Sequence, residues 1–151
     1  MPSCTVRDAA ATDLDWVLAL GNRFPQETSL HTPASLADLV GRSSFVRVID
    51  PAAAFLIGQT ETDPALSPNF HWFRERYPAF LYVDRIVVAP ERHGQGLGRV
   101  LYDDAIAYAA GRPVVCEVNT LPPNPGSLAF HTRLGFREVG TARLGPGKEV
   151  A

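Results

Sequence analysis

Cysteine is scarce in this chain: Cys4 and Cys116 are the only two, they stand far apart, and neither belongs to a CxxC or other metal-ligand spacing. That scarcity argues against a disulfide scaffold or a cysteine-bound zinc site and leads us to expect a reduced, cytoplasmic protein with no metal. Long apolar runs are missing as well. Met1 to Ala10 carries no apolar core of signal-peptide length, and nothing approaches the roughly twenty residues of a membrane helix, so neither secretion nor a membrane partner is expected. Nor is there a basic surplus. The formal charge is −2 and the isoelectric point about 6.0, which argues against nucleic acid as a partner.

What is present suits one compact domain spanning residues 1–151. At 151 residues with 46% hydrophobic side chains, a chain can bury about 70% of its unfolded surface. The thirteen prolines fall between apolar runs rather than inside them and act as loop punctuation. Residues 4–8 read as a short strand. Thr12, followed by Asp15, reads as the cap of a first helix through Trp16, Val17 and Leu20, and Thr32-Pro33 as the start of a second, closed by Gly41. Residues 45–49 and 52–59 form a hairpin across Asp50-Pro51. After a polar insert at 60–78 with a helical turn at 69–76, residues 80–88 read as a mid-sheet strand, apolar on both faces apart from Asp84 and Arg85. A helix runs from Leu97 to Gly111, with a strand at 114–118 parallel to the previous one. Asn124-Pro125 opens a short helix in which Leu128, Phe130 and Leu134 are spaced for burial. Gly135 stops it, and strands follow at 136–144 and 148–151.

The most informative stretch joins the buried strand to the long helix: Val88-Ala89-Pro90-Glu91-Arg92-His93-Gly94-Gln95-Gly96-Leu97-Gly98-Arg99. Alternate glycines let successive backbone N–H groups face one concavity, and the helix start adds unpaired donors and a partial positive charge, so a phosphate or pyrophosphate is the natural guest. Arg92 and Arg99 add charge from either side. A tight connection with glycines placed for close packing is the plainer alternative. The Walker loop is excluded, because Arg99-Val100 stand where Lys and Ser or Thr are needed. A dinucleotide fingerprint finds its first two glycines at Gly94 and Gly96 but Arg99 at its third, with too little chain left for a doubly wound domain.

His93-Gly94-Gln95-Gly96-Leu97-Gly98 resembles the acyl-CoA loop of the GNAT superfamily of N-acyltransferases, with His93 where the family carries Arg or Gln. Asn124-Pro125-Gly126-Ser127-Leu128-Ala129-Phe130-His131-Thr132-Arg133-Leu134-Gly135-Phe136 is similar to the family's second motif. The element order resembles the family's topology over nearly the whole chain. The resemblance implies an α/β (α+β) fold: a mixed, mostly antiparallel sheet, splayed between two central parallel strands and flanked by helices. It further implies acetyl-CoA as acyl donor and transfer to a small-molecule or peptide amine, and leaves a homodimer open. Its cofactor contacts fall on Ile86, Val87 and Val88 through backbone groups, on the loop His93, Gly94, Gln95, Gly96, Leu97, Gly98 and Arg99, and on Asn119, Asn124, Ser127, Phe130, His131 and Arg133.

Direct attack of an amine on a thioester needs a base for the amine and an acid for the departing thiolate. The resemblance places His131 where family members commonly carry Tyr, which makes it the candidate acid. A cap on a backbone carbonyl is the alternative. Asp84 and Glu117 are candidate bases because each interrupts an apolar strand, although Arg85 or another cation can simply pair with either. Cys116 reads as a core residue. The segments 22–31 and 60–78 are expected to wall the substrate pocket, with Trp72 and Phe73 either closing it or anchoring a helix in the core. An acyl-CoA sensor without turnover is the second reading, and a dinucleotide-type nucleotide-binding domain the third.

Overall fold

Alternation in Phe45-Val46-Arg47-Val48-Ile49 decides which way the first sheet faces. This stretch is strand β2 (Phe45–Ile49), paired antiparallel with β1 (Val6–Asp8) and with β3 (Ala54–Thr60). Beyond β3 lie β4 (Leu81–Val88), antiparallel to it, and the two-residue β5 (Val114–Val115), parallel to β4. The order is β1-β2-β3-β4-β5, the mixed and mostly antiparallel sheet expected from the sequence. The computed structural model describes residues 5–24, 30–121, 124–145 and 148–151. Its chain divides into two units, residues 1–115 and 116–151.

In the first unit, helices cover both faces of the sheet. Val48, Phe55, Ile57 and Val87 pack with Val17 and Leu20 of α1 (Leu14–Gly21) and Leu36 of α2 (Pro33–Gly41). Residues of the opposite parity meet α4 (Leu97–Ala109): the Phe45 and Tyr108 rings lie 4.6 Å apart, and Arg47 Nε is 3.1 Å from the Asp104 carboxylate. β3 is buried along its whole length, as a strand sandwiched between helical layers must be. The short α3 (Pro68–Arg74), capped by Ser67, sets Phe70 and Phe73 into a separate cluster with Phe80, Tyr82 and Val115. Phe73 is therefore a core anchor. Trp72 packs at the edge of that cluster, with the Arg76 guanidinium 3.8 Å from its ring centroid.

The second unit holds a small antiparallel sheet in the order β6-β8-β7, from β6 (Asn119–Leu121), β7 (Ala142–Gly145) and β8 (Lys148–Val150), together with α5 (Pro125–Arg133).

Several sequence-derived expectations are corrected. The strand expected at 114–118 stops at Val115, so Glu117 interrupts no strand. The strand expected at 136–144 forms only from Ala142. Alternating apolar residues report compatibility with a sheet, not where a partner strand ends. Thr12 is not the helix cap: residues 11–13 form a 3₁₀ turn, and the Asp13 carboxylate accepts the Ala10 N–H at 2.7 Å. Leu128 is 50% exposed, and the buried residue of α5 is His131. Cys116 is half-buried rather than core, and Cys4 lies outside the described residues.

Candidate active site

Backbone direction on β4 is fixed by its neighbour. The Ala89 N–H donates to Ala53 C=O at 2.8 Å, and because amide directions alternate along a strand, Val87 turns its polar groups toward β3 while Ile86 and Val88 turn theirs away. On that outer side β5 pairs only with Leu81 and Tyr82. The edge presented by Ile86 and Val88 thus lies beyond the end of the parallel pairing. His93 uses it: its Nε2 is 3.0 Å from the Val88 carbonyl oxygen, to which it donates, folding the following loop back against the strand.

The loop has the geometry that its glycines permit. Gly94 and Gly96 have φ of 79° and 76°, and nothing lies within 4 Å of a Cβ placed on either. Gly96 is the N-cap of α4 and supplies no side chain to the helix start. The Val100 N–H bonds the Gly96 carbonyl at 3.1 Å, so the N–H groups of Leu97, Gly98 and Arg99 precede the first intrahelical bond and point out of the helix end. Gln95 is held by Arg92, whose Nε donates to its Oε1 at 2.8 Å, and Arg99 is exposed. Backbone donors at an uncapped thirteen-residue helix, with guanidinium groups beside them, are the kind of arrangement that suits an anion.

Asp84 and Arg85 sit where β4 takes an extra residue. The register steps from Ile57↔Arg85 to Gly58↔Val83, which leaves Asp84 as the bulged residue. Adjacent residues of a regular strand point to opposite faces, but a bulge re-aims one of them. Here it lets Arg85 Nε reach Asp84 Oδ1 at 2.9 Å, with the two side chains only 11% and 8% exposed. The pairing weighed in the sequence as the structural alternative for Asp84 is the one present.

His31 ends the segment 22–31 that the sequence marks as a pocket wall. Asn22, at the C-terminus of α1, clamps its backbone: the Asn22 amide donates to His31 C=O at 2.9 Å and accepts the His31 N–H at 3.0 Å. The ring Nδ1 is 2.8 Å from Ser35 Oγ. Its Nε2 is buried and has no hydrogen-bond partner among the described residues. Burial foremost, and then the Arg85 charge, push the imidazole below its ordinary pKa against the opposing effect of Asp84. No periodicity or motif marks this residue; the nearest signal is its place directly before the Thr32-Pro33 helix start.

In the second unit, α5 collects four of the anticipated residues. Asn124 Oδ1 accepts the Ser127 N–H at 3.2 Å as the helix cap. His131 Nδ1 lies 2.7 Å from the Ser127 carbonyl and 3.3 Å from its hydroxyl. The Phe130 and Phe136 rings each meet the imidazole edge to face at 5.3 Å. Burial lowers the His131 pKa, opposed by the bond to Ser127. Arg133 is exposed, while Asn119 on β6 and Glu117 are half-buried.

Comparison with known proteins follows the same lines. The sequence profile described as the acetyltransferase (GNAT) family matches residues 37–136. Over 116 residues the chain is 35% identical to mycothiol acetyltransferase of Tsukamurella paurometabola, a match covering 70% of this chain and 37% of that protein. Over 69 residues it is 39% identical to the N-alpha-acetyltransferase RimI of Mycobacterium tuberculosis, covering 45% and 42%. The matches thus cover less than half of the length of these two curated relatives. Among solved structures, Arabidopsis thaliana NAA60 in complex with acetyl-CoA superposes with a TM-score of 0.74 at 14% identity, covering 98% of this chain and 96% of that one, a likeness of fold.

Proposed function

This chain belongs to the acetyltransferase (GNAT) family, and from that membership we propose that it moves an acetyl group from acetyl-CoA directly onto an amine nitrogen. The observation that carries the reading is the loop: two left-handed glycines facing open space at an uncapped helix N-terminus, next to a strand edge with outward-turned backbone groups. The cradle fits the pyrophosphate, and the edge at Ile86 and Val88 fits the amides of the pantetheine arm.

Acetyl-CoA supplies the activated thioester. The chain's own groups bind, orient and move protons. The outward N–H groups of β4 are suited to stabilise negative charge on the carbonyl oxygen as the amine attacks, and His131 is assigned the return of a proton to the thiolate. With Nδ1–H turned to the Ser127 carbonyl, His131 has a proton to give at Nε2 only in its cationic form. The acceptor is a small-molecule or peptide amine; relatives named for mycothiol and for N-alpha acetylation support both classes. The reading puts the protein in the cytoplasm, without a resident metal, and leaves a homodimer open. A sensor that binds acetyl-CoA without turnover is favoured by one observation, the burial that disfavours cationic His131.

Thiol release from acetyl-CoA across a panel of amino acids, polyamines, aminoglycosides and peptides separates the two, since only the enzyme liberates CoA. The loop is tested by Gly96→Asp against Gly96→Asn. Both residues carry a similar strain at positive φ, and Asn tolerates it, but only Asp sets a carboxylate against phosphate. Calorimetry should show acetyl-CoA binding at least about tenfold weaker for Asp than for Asn, about 1.4 kcal/mol. Equal affinities would remove the pyrophosphate from this loop.

A further inference from the structure

His31 is held on three sides, yet one of its ring nitrogens has no partner among the described residues. Its position is tightly specified. Asn22 holds its backbone through two hydrogen bonds, and Ser35, which completes the capping box of α2 with Thr32, holds its ring. Ser35 Oγ donates to the Thr32 carbonyl at 3.2 Å and accepts the Thr32 N–H at 2.9 Å. In the arrangement where the hydroxyl proton stays with that carbonyl, the oxygen accepts from His31, 2.8 Å away, and the imidazole carries its proton on Nδ1. Nε2 is then left with its lone pair, buried and unmatched among the described residues. A buried acceptor without a donor is costly, and native proteins retain few of them.

The ring's surroundings keep that lone pair available. Among the described residues, Arg85 and Asp84, the ion pair at the bulge of β4, are the charged groups that act on it, and burial together with Arg85 outweighs Asp84 in favouring the neutral form. The neutral form is the one that can take a proton at pH 7. Arg85 directly precedes Ile86, the first of the two residues whose backbone groups turn toward the outer edge of the strand. Asp84, engaged with Arg85 at 2.9 Å, already has a partner; His31 Nε2 has none among the described residues.

We propose that His31 is the general base of this protein, accepting at Nε2, directly or through one water, the proton that the acceptor amine must lose before it attacks. The inference rests on the acetyltransferase reading and assigns the base within it. The incoming ammonium gives one proton to Nε2, and its lone pair forms the C–N bond at the thioester carbonyl. The C–S bond breaks with its electron pair on sulfur. The new amide nitrogen loses its second proton as the thiolate gains one, and the imidazolium releases its proton to solvent. Ammonium and thioester thereby become amide, thiol and one proton.

The test uses the whole chain, acetyl-CoA and the amine panel. Asn at position 31 keeps a donor for Ser35 and removes the base. His31→Asn should bind acetyl-CoA as the wild type does, yet show kcat/KM for the amine lowered about 10²-fold or more at pH 7. The deficit should shrink as pH rises toward the amine's own pKa, because solvent then supplies the free amine. The wild-type profile should rise through an ionisation below the ordinary histidine value of about 6.5, and that ascending limb should vanish in the variant. Nitrogen NMR of the wild type should independently show His31 neutral at pH 7 with its proton on Nδ1. A variant with wild-type kcat/KM and pH profile, or a wild-type ring protonated on Nε2 when neutral, overturns the assignment and leaves the acetyltransferase reading intact. If no panel amine releases thiol from the wild type, the acetyltransferase reading fails instead, and the assignment with it.

Discussion

His131 spends one ring nitrogen inside its own helix, on the Ser127 carbonyl 2.7 Å away, and that single bond decides what the other nitrogen can do. Burial between Phe130 and Phe136 disfavours the imidazolium, the bond to Ser127 favours it, and the net shift is downward. A proton at Nε2 is therefore present only below a pKa under the ordinary value, so any step that needs it slows as pH rises through that point, the opposite limb from the one His31 imposes. Stability carries the matching sign. A histidine whose folded pKa is lowered contributes fully above its unfolded value and loses that contribution as pH falls from about 6.5 toward the folded pKa. With His131 as the acid, His131→Phe should keep acetyl-CoA affinity and lower turnover about 10²-fold or more, and His131→Tyr should restore part of the loss. Tyrosine stays protonated to about pH 10, so the descending limb should move there. Steady-state pH profiles of the three proteins decide it: an unchanged profile in His131→Phe leaves His131 no part in the proton transfer.

At the scale of elements, legibility follows how local each signal is. The Thr32-Pro33 start of α2, the Asn124-Pro125 start of α5 and the glycine loop into α4 are each fixed by residues within a few positions, and each is where the sequence puts it. The length of β5 depends instead on β4, whose bulge at Asp84 cannot be seen in the pattern of apolar residues. The same holds for the site. Asp84 and Arg85 stand out in the sequence as charges in an apolar strand, but that they meet each other, and that their field reaches His31, follows from the bulge and the Asn22 clamp. The end of α4 is another such case. Gly111 looks like the left-handed stop, yet Ala110, the C-cap, also lies in that region with φ 51° and ψ 49°. A side chain there costs about 1–2 kcal/mol, partly offset by the greater backbone entropy of glycine when unfolded. Ala110→Gly should therefore stabilise the protein by about 0.5 kcal/mol, a rise of about 1–2 °C in Tm. Calorimetric scans showing a fall would mean that the Ala110 methyl makes contacts worth more than the strain.

For the molecule as a whole, the acid limit of the fold is expected where β1, the 3₁₀ turn and the β2–β3 turn converge on one guanidinium. Arg7 donates to Asp13 at 2.8 and 2.9 Å and to Asp50 at 2.7 and 2.9 Å. Asp13, nearly out of solvent, also accepts the Ala10 N–H at 2.7 Å and the Trp16 indole N–H at 3.0 Å. Its carboxyl is held well below the usual carboxylate range, first by the hydrogen bonds from Arg7, then by the Ala10 amide, with desolvation opposing. Asp50 is lowered too, chiefly by Arg7. A carboxylate with a depressed folded pKa contributes stability that is complete above its unfolded value of about 3.9 and is lost as pH falls below it. Asp13→Ala removes two charge-assisted bonds and strands two donors, while Arg7 keeps Asp50, so a loss of about 2 kcal/mol at pH 7 is expected. Urea midpoints measured from pH 7 to pH 2 should start lower in the variant and fall less steeply below pH 4, the two curves converging in acid. Parallel curves would show that Asp13 titrates alike in the folded and unfolded chain, and the acid limit would then have to be sought in other carboxylates.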